Sequence, residues 1–283
     1  MPNYAHADFI DVLRAADQYG IPSLSLQHIG ISDSDGDDKF ARQVHPLGSG
    51  LTSQVIQHTT GPEAKDAVPV GTIVALKLFT MQAEKQHQPP KESSRAIFRL
   101  ILREMEAFCH PMLSSHPNIV QLLFVGWQIN NPFPILAMEM GVYGSLDHAI
   151  RKPGPGLTTA QKKHVSADIA LGLHAIHEAG FVHGDLKPDN VILMPHQAHD
   201  RQLIAKIMDF GGSSKKSKGS KSSPAHITRL WCAPEVLNHD PDVDWEKADV
   251  YSFGLIFASI WGRWSIGGPE ISHVLGPKKC AQD

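Results

Sequence analysis

Cysteine is scarce in this chain, and the little there is lies scattered. Cys109, Cys232 and Cys280 are the three in 283 residues, with no CxxC pair among them. That spacing excludes a disulfide framework and a zinc ribbon, and it predicts a reducing compartment, cytoplasm or nucleus. Charge of one sign is not in excess. The net charge is −3, so no basic field predicts nucleic acid or a membrane surface as a partner. A long apolar run is missing too. The longest, Val250 to Trp261, is broken by Gly254 and two Ser and is too short to cross a bilayer. The N-terminus has neither a basic start nor an apolar core, so no signal peptide is expected. What remains is 42% hydrophobic and 19% charged, the balance of a globular protein, in a length that suits one large or two small domains.

Periodicity predicts the long helices. Residues 8 to 19 set Phe9, Val12, Leu13 and Ala16 at helical spacing, and Gly20 and Pro22 end the run. Ser32 to Asp38 is acidic, but its Gly comes too early for an EF-hand, so a solvated loop is expected. Residues 82 to 94 form a polar, Pro-containing connection. Arg95 to Cys109 then reads as an amphipathic helix with Ile97, Ile101, Glu104, Met105 and Phe108 on one face. Thr158 to Ala179 is a second long helix, with Val165, Ile169, Leu173 and Ile176 inward. Residues 191–194 and 203–208 read as a hairpin. The two His in its connection have no Cys or third ligand near them, so a solvated turn is expected there rather than a metal site.

Between that helix and the hairpin comes Phe181-Val-His-Gly-Asp-Leu-Lys-Pro-Asp-Asn190. A carboxylate, an ammonium and a carboxamide crowd into one turn. Phosphoryl transfer needs such a set: a carboxylate to orient the attacking hydroxyl, a cation to steady the moving phosphoryl group, and an amide oxygen to help hold Mg²⁺. Downstream, the apolar run Ile204 to Met208 ends on Asp209-Phe210-Gly211. Upstream, Val74-Ala75-Leu76-Lys77 puts a Lys on a β-rich run, and Leu47-Gly48-Ser-Gly50 precedes it as a GxG turn. Each fragment alone recurs by chance. In this order, over roughly residues 43 to 265, they closely resemble the signature of eukaryotic protein kinases.

The resemblance implies an α+β, two-lobed protein-kinase-like fold. A small antiparallel β lobe with one helix would span residues 41–140, and a mainly helical large lobe would span 141–283. Residues 1–40 would be a helical extension packed on the small lobe. His116 to Leu122 and Pro134 to Met138 would be strands of that lobe. The resemblance also implies ATP and Mg²⁺, held between the lobes. Gly48 and Gly50 would cover the phosphates, although Ser53 takes the third glycine position. Lys77, fixed by Glu104, would hold the α- and β-phosphates. Glu104 is chosen over Glu106 because Phe108, four residues on, suits packing against Phe210. Val55, Ala75 and Ile192 would flank the adenine, with Met138 at the back of its pocket. Backbone groups of Glu139 and Met140 would bond its edge, and Ser145 or Asp147 would reach the ribose. Asn190 and Asp209 would hold Mg²⁺. Asp185 would orient the substrate hydroxyl, and Lys187 would neutralise the γ-phosphoryl group. Thr228, five residues before Ala233-Pro234-Glu235, would contact Asp185 and Lys187. Asp249 would hold the backbone of the catalytic loop. Lys187 points to Ser/Thr hydroxyls of a protein substrate.

Two departures from the family pattern stand out. Gly184 takes a position usually held by Arg, which pairs with a phosphate on the activation segment. Activity is therefore expected not to need phosphorylation of that segment, despite six Ser between 213 and 223. Second, only a short stretch follows Asp249, so the C-terminal helices of the family are missing from this sequence. Phe253, Leu255, Ile256, Phe257, Ile260 and Trp261 are then expected to lack part of their cover. A partner, a shortened chain or gene product, or instability would account for such a patch, with dye binding or aggregation as its sign. Two other readings stay open. A pseudokinase scaffold would keep the fold without turnover. A small-molecule phosphotransferase would share His-Gly-Asp with Asn five residues later, but Lys187, Ala233-Pro234-Glu235 and Asp249 argue against it.

Overall fold

Strand alternation and two amphipathic helices build the first half of the chain. The computed structural model describes residues 8–25, 45–49, 53–80, 90–128, 132–152, 154, 156–196, 202–216 and 227–262. They fall into two compact units, Met1–Ser115 with Val120–Met140, and His116–Ile119 with Gly141–Asp283. Gly50 lies outside the described residues, as do Gln82 to Pro89 and most of the Gly/Ser/Lys-rich stretch.

In the first unit, α1 (Phe9–Gln18) starts at an Asp8/Asp11 capping box, and Val12 and Ala16 are buried on one stripe. The sheet runs β1-β5-β6-β4-β3-β2, with β1 (Ser23–Ser25), β2 (His45–Ser49), β3 (Ser53–Thr59), β4 (Ile73–Phe79), β5 (Leu122–Trp127) and β6 (Ile135–Glu139). Period-2 alternation divides it into two faces. Ile56, Val74, Leu76, Leu78, Phe124, Ile135 and Ala137 form an apolar core on one face. On the other, Val55 stands opposite Lys77, Lys77 opposite Leu136, and Ala75 opposite Met138.

Several expectations change here. The sheet is not wholly antiparallel, because β1 from the N-terminal extension pairs parallel with β5. The extension is therefore a helix and a strand. Helix α2 (Pro90–Phe108) begins before Arg95, since a Pro at the first helical position loses no hydrogen bond. The strand expected over His116 to Leu122 starts only at Leu122. Residues His116–Ile119 belong to the second unit, where Asn118 O accepts from Ile207 N at 2.8 Å and Asn118 Nδ2 donates to Ala205 O at 3.1 Å.

In the second unit, α3 (Leu146–Arg151) leads to α4 (Thr159–Glu178), which opens with a Thr158/Gln161 capping box. Gly172 on α4 lets the chain at Asn118 pass close by, since a Cβ there would stand 2.9 Å from Asn118 O. Next come β7 (Phe181–Val182), the hairpin β8 (Val191–Pro195) with β9 (Leu203–Ile207), and β10 (Ser214–Lys215), paired with β7. Short α5 (Pro234–Leu237) and α6 (Trp245–Trp261) close the described chain. On α6, Ile256 and Ile260 are buried, while Phe257 and Trp261 of the same expected patch are exposed. Phe253 meets Phe257 edge-on, the Phe257 and Trp261 rings are tilted by 32°, and Trp261 Nε1 donates to Ser166 Oγ at 3.1 Å.

Candidate active site

Lys77 sits in the middle of β4, where six successive residues are buried. A buried ammonium must be paired and hydrogen-bonded, because desolvating a lone charge costs several kcal/mol. Glu104 on α2 meets it. Lys77 Nζ donates to Glu104 Oε1 at 2.7 Å and Oε2 at 2.9 Å, with the carboxylate side chain fully buried. Nζ also lies 5.6 Å over the Phe79 ring. Glu106, two residues on, is half-buried and raises the Tyr19 pKa after burial itself. Met138 is 5% exposed beside Ala75. The Glu139 N–H is already committed, donating to Gln121 O at 3.1 Å, and Glu139 Oε2 accepts from Gln121 N at 3.0 Å. That N–H is therefore not available to a ligand. Gly48 stands opposite Val55 beyond a bulge in the β2–β3 pair.

The second unit holds the acidic half of the set. Asp249, buried in α6, accepts from His183 N at 2.8 Å and from Gly184 N at 2.9 Å. His177 Nε2 lies 3.0 Å from the same carboxylate. Sequence reading missed His177. Its only signal was a polar side chain next to inward-facing Ile176 on α4. His183 Nδ1 accepts from Asp185 N at 3.3 Å and its Nε2 lies 3.1 Å from Met208 O, so the tautomer protonated at Nε2 satisfies both. Gly184 adopts φ +76, where any Cβ would be strained. The Arg usual in the family has no counterpart at this turn.

These ties aim Asp185. Its Oδ2 accepts from Lys187 Nζ at 2.5 Å, and Lys187 Nζ also donates to Thr228 Oγ1 at 2.8 Å. Asp185 Oδ1 is buried and has no hydrogen-bond partner. An unpaired buried acceptor is costly and marks a place for an external donor. Beside it a recess is lined by Gly184, Thr228, Trp231, Cys232 and Trp245. Burial, then the charges of Glu235 and Asp185, push the Cys232 thiol pKa up, so Cys232 is no thiolate nucleophile.

Asn190 Nδ2 donates to Asp185 O at 2.8 Å, and Asn190 O accepts from Met208 N at 2.9 Å. That bond brings Asn190 next to Asp209. Asp209 takes φ +66, rare for a side-chain-bearing residue, and its Oδ1 accepts from Gly211 N at 3.3 Å. Strain of this kind concentrates at functional sites. Asn190 and Asp209 offer few, hard oxygen donors, which suits Mg²⁺ that completes its shell with phosphate and water. Among the described residues no cluster of three His, Cys, Asp or Glu could hold a metal alone. Ser145 Oγ caps α3 by accepting from His148 N at 3.2 Å, which leaves its O–H and one lone pair for other partners. Ile192 is buried on β8.

The Asp249 ties are testable apart from turnover. Asp249→Asn keeps one acceptor oxygen and leaves one of the two backbone N–H groups unpaired. That costs about 1–3 kcal/mol. Chemical denaturation should show the loss, with faster amide exchange at residues 183 and 184.

The protein kinase domain family matches residues 41–266. The chain belongs to this family. It is 31% identical over 189 residues to a putative serine/threonine-protein kinase/receptor of Acanthamoeba polyphaga mimivirus, covering 66% of this chain and 10% of that protein. It is 36% identical over 153 residues to a probable serine/threonine-protein kinase, drkC, of Dictyostelium discoideum, covering 52% and 19%. It is 35% identical over 154 residues to the dual specificity protein kinase shkA of the same organism, covering 52% and 27%. The chain thus spans less than a third of the length of these relatives. No described helix is long and apolar enough to cross a membrane.

Proposed function

We propose that this chain transfers the γ-phosphate of ATP to Ser or Thr hydroxyls of a protein substrate. The observation that carries the reading is the Asp185 carboxylate: one oxygen is clamped by Lys187, and the other is buried and unpaired. Asp185 Oδ1 accepts the acceptor hydroxyl and orients it for attack on the γ-phosphorus. The proton leaves toward that carboxylate as the O–P bond forms and the bond to the β-phosphate oxygen breaks. Lys187 stays on the transferred group and balances its charge. In the first unit, Lys77, fixed by Glu104, binds the α- and β-phosphates. Val55, Ala75 and Met138 supply an apolar face for adenine. Asn190 and Asp209 would hold Mg²⁺, which would supply the cationic field that neutralises the phosphates.

Lys187, its bond to Thr228, and relatives named as serine/threonine and dual specificity kinases support protein hydroxyls as acceptors. The pseudokinase reading loses ground because the phosphate- and metal-facing side chains expected of the family are present at Lys77, Asp185, Asn190 and Asp209. The test is transfer of labelled γ-phosphate from Mg-ATP to a Ser/Thr peptide panel, a Tyr peptide, choline and an aminoglycoside. Label on choline or the aminoglycoside but not on peptide overturns the reading.

Gly184 adds a prediction about control. With no Arg at this turn, phosphatase treatment should leave the transfer rate within about twofold, well below the tenfold that 1.4 kcal/mol of lost pairing brings. Loss of transfer after dephosphorylation sinks the idea.

A further inference from the structure

We propose that residues 8–25 are a positioning element that braces α2 from outside, so that Glu104 stays within reach of Lys77. This segment lies outside the region that matches the kinase domain, residues 41–266. It is nonetheless built into the first unit at three places. Helix α1 packs along α2, with Val12 and Ala16 at 0% exposure. Phe9 sets its ring edge-on to Trp127, the last residue of β5, with centroids 6.4 Å apart. Pro22 O accepts from Val125 N at 2.9 Å, and β1 then runs in register from Ser23 opposite Val125 to Ser25 opposite Trp127. Between helix and strand, Tyr19 lies close enough to the C-terminal end of α2 to feel Glu106 and Cys109.

The mechanical consequence follows from helix rigidity. Glu104 sits little more than one turn before Cys109, and one residue of register is a 100° rotation and 1.5 Å of rise. Both Lys77–Glu104 bonds are under 3 Å, so a slip of one residue breaks them. The face of α2 that carries Glu104 also carries buried Ile101, Met105 and Phe108, apolar contacts that tolerate sliding better than a bidentate ion pair does. The pair that fixes Lys77 therefore depends on what holds the end of α2, and α1 with β1 holds it.

The activity arm of this proposal rests on the kinase reading above; the labelling arm does not. Full-length wild type, Val12→Asp, Phe9→Ala and Val12→Ile are compared. The readouts are amine labelling of Lys77, amide exchange over residues 103–109, and kcat and KM for the peptide substrate. Val12→Asp should raise Lys77 labelling about fivefold or more, the low end of typical intersite coupling. It should speed exchange in the last turns of α2 and lower kcat without changing the peptide KM. Exchange in the β8–β9 hairpin should not change, and Val12→Ile should match wild type. If Val12→Asp does not fold, Phe9→Ala, truncated at a half-exposed ring, must show the same direction of change. Fast exchange in α1 with Lys77 labelling within about twofold of wild type overturns the proposal. Failure of the kinase reading shows separately, as a wild type without transfer but with normal labelling shifts.

Discussion

Asp185→Asn should abolish phosphoryl transfer while the chain stays folded. The substitution is nearly isosteric. Its amide keeps an oxygen, but it loses the negative charge that holds Lys187 at 2.5 Å and that would receive the acceptor proton. General-base contributions of this kind are worth about 10²–10⁴ in rate. Asn190 Nδ2 bonds the Asp185 backbone oxygen at 2.8 Å and its Oδ2 only at 3.5 Å, so the stronger tie of this loop survives the substitution. The measurement is initial-rate transfer from Mg-ATP at saturating peptide, with circular dichroism as the control for folding. A variant that keeps more than about a tenth of the wild-type rate is incompatible with the assigned role.

The second large effect is on stability. Glu104→Ala removes the bidentate carboxylate partner of the Lys77 ammonium in a site where its side chain is 7% exposed. Removing one partner of a buried ion pair costs about 3–5 kcal/mol, because the remaining charge is left uncompensated. That is a large share of the 5–15 kcal/mol that holds a typical domain. Replacing both partners, Lys77→Met with Glu104→Leu, should recover much of the loss, since apolar residues of similar size fill the same space without a charge. Urea denaturation of the two single variants and the double variant measures the coupling. Additive losses would mean that the pair is not energetically linked. The single variants should also lose transfer, and the double variant should not regain it.

The long-period elements were legible because burial forces their pattern. α4 needed only Val165, Ile169, Leu173 and Ile176 at helical spacing; the Thr158/Gln161 capping box at its start came from the structure. The β8–β9 hairpin and β4 followed from short apolar runs, which in β4 bury six residues in succession. The misplaced strand at His116 to Leu122 shows the limit. Local composition favours an extended chain there, but Asn118 spends both backbone and side chain on β9, a tertiary choice no local rule encodes. β1 was hidden for a similar reason. Three residues carry too little pattern to predict a strand, and only the edge of β5 gives them a partner. In the candidate site, the identities of Lys77, Glu104, Asp185, Asn190 and Asp209 came from order along the chain. The unpaired Oδ1 of Asp185, the φ of Asp209 and the His177 contact with Asp249 are three-dimensional facts with no signature in the letters.

Asp249 closes the turn at His183 and Gly184 from a point far downstream in α6. A nascent chain therefore cannot shape that turn while Asp249 is still inside the ribosome. Until α6 emerges, the N–H groups of His183 and Gly184 lack this acceptor, and the turn stays open to other geometries.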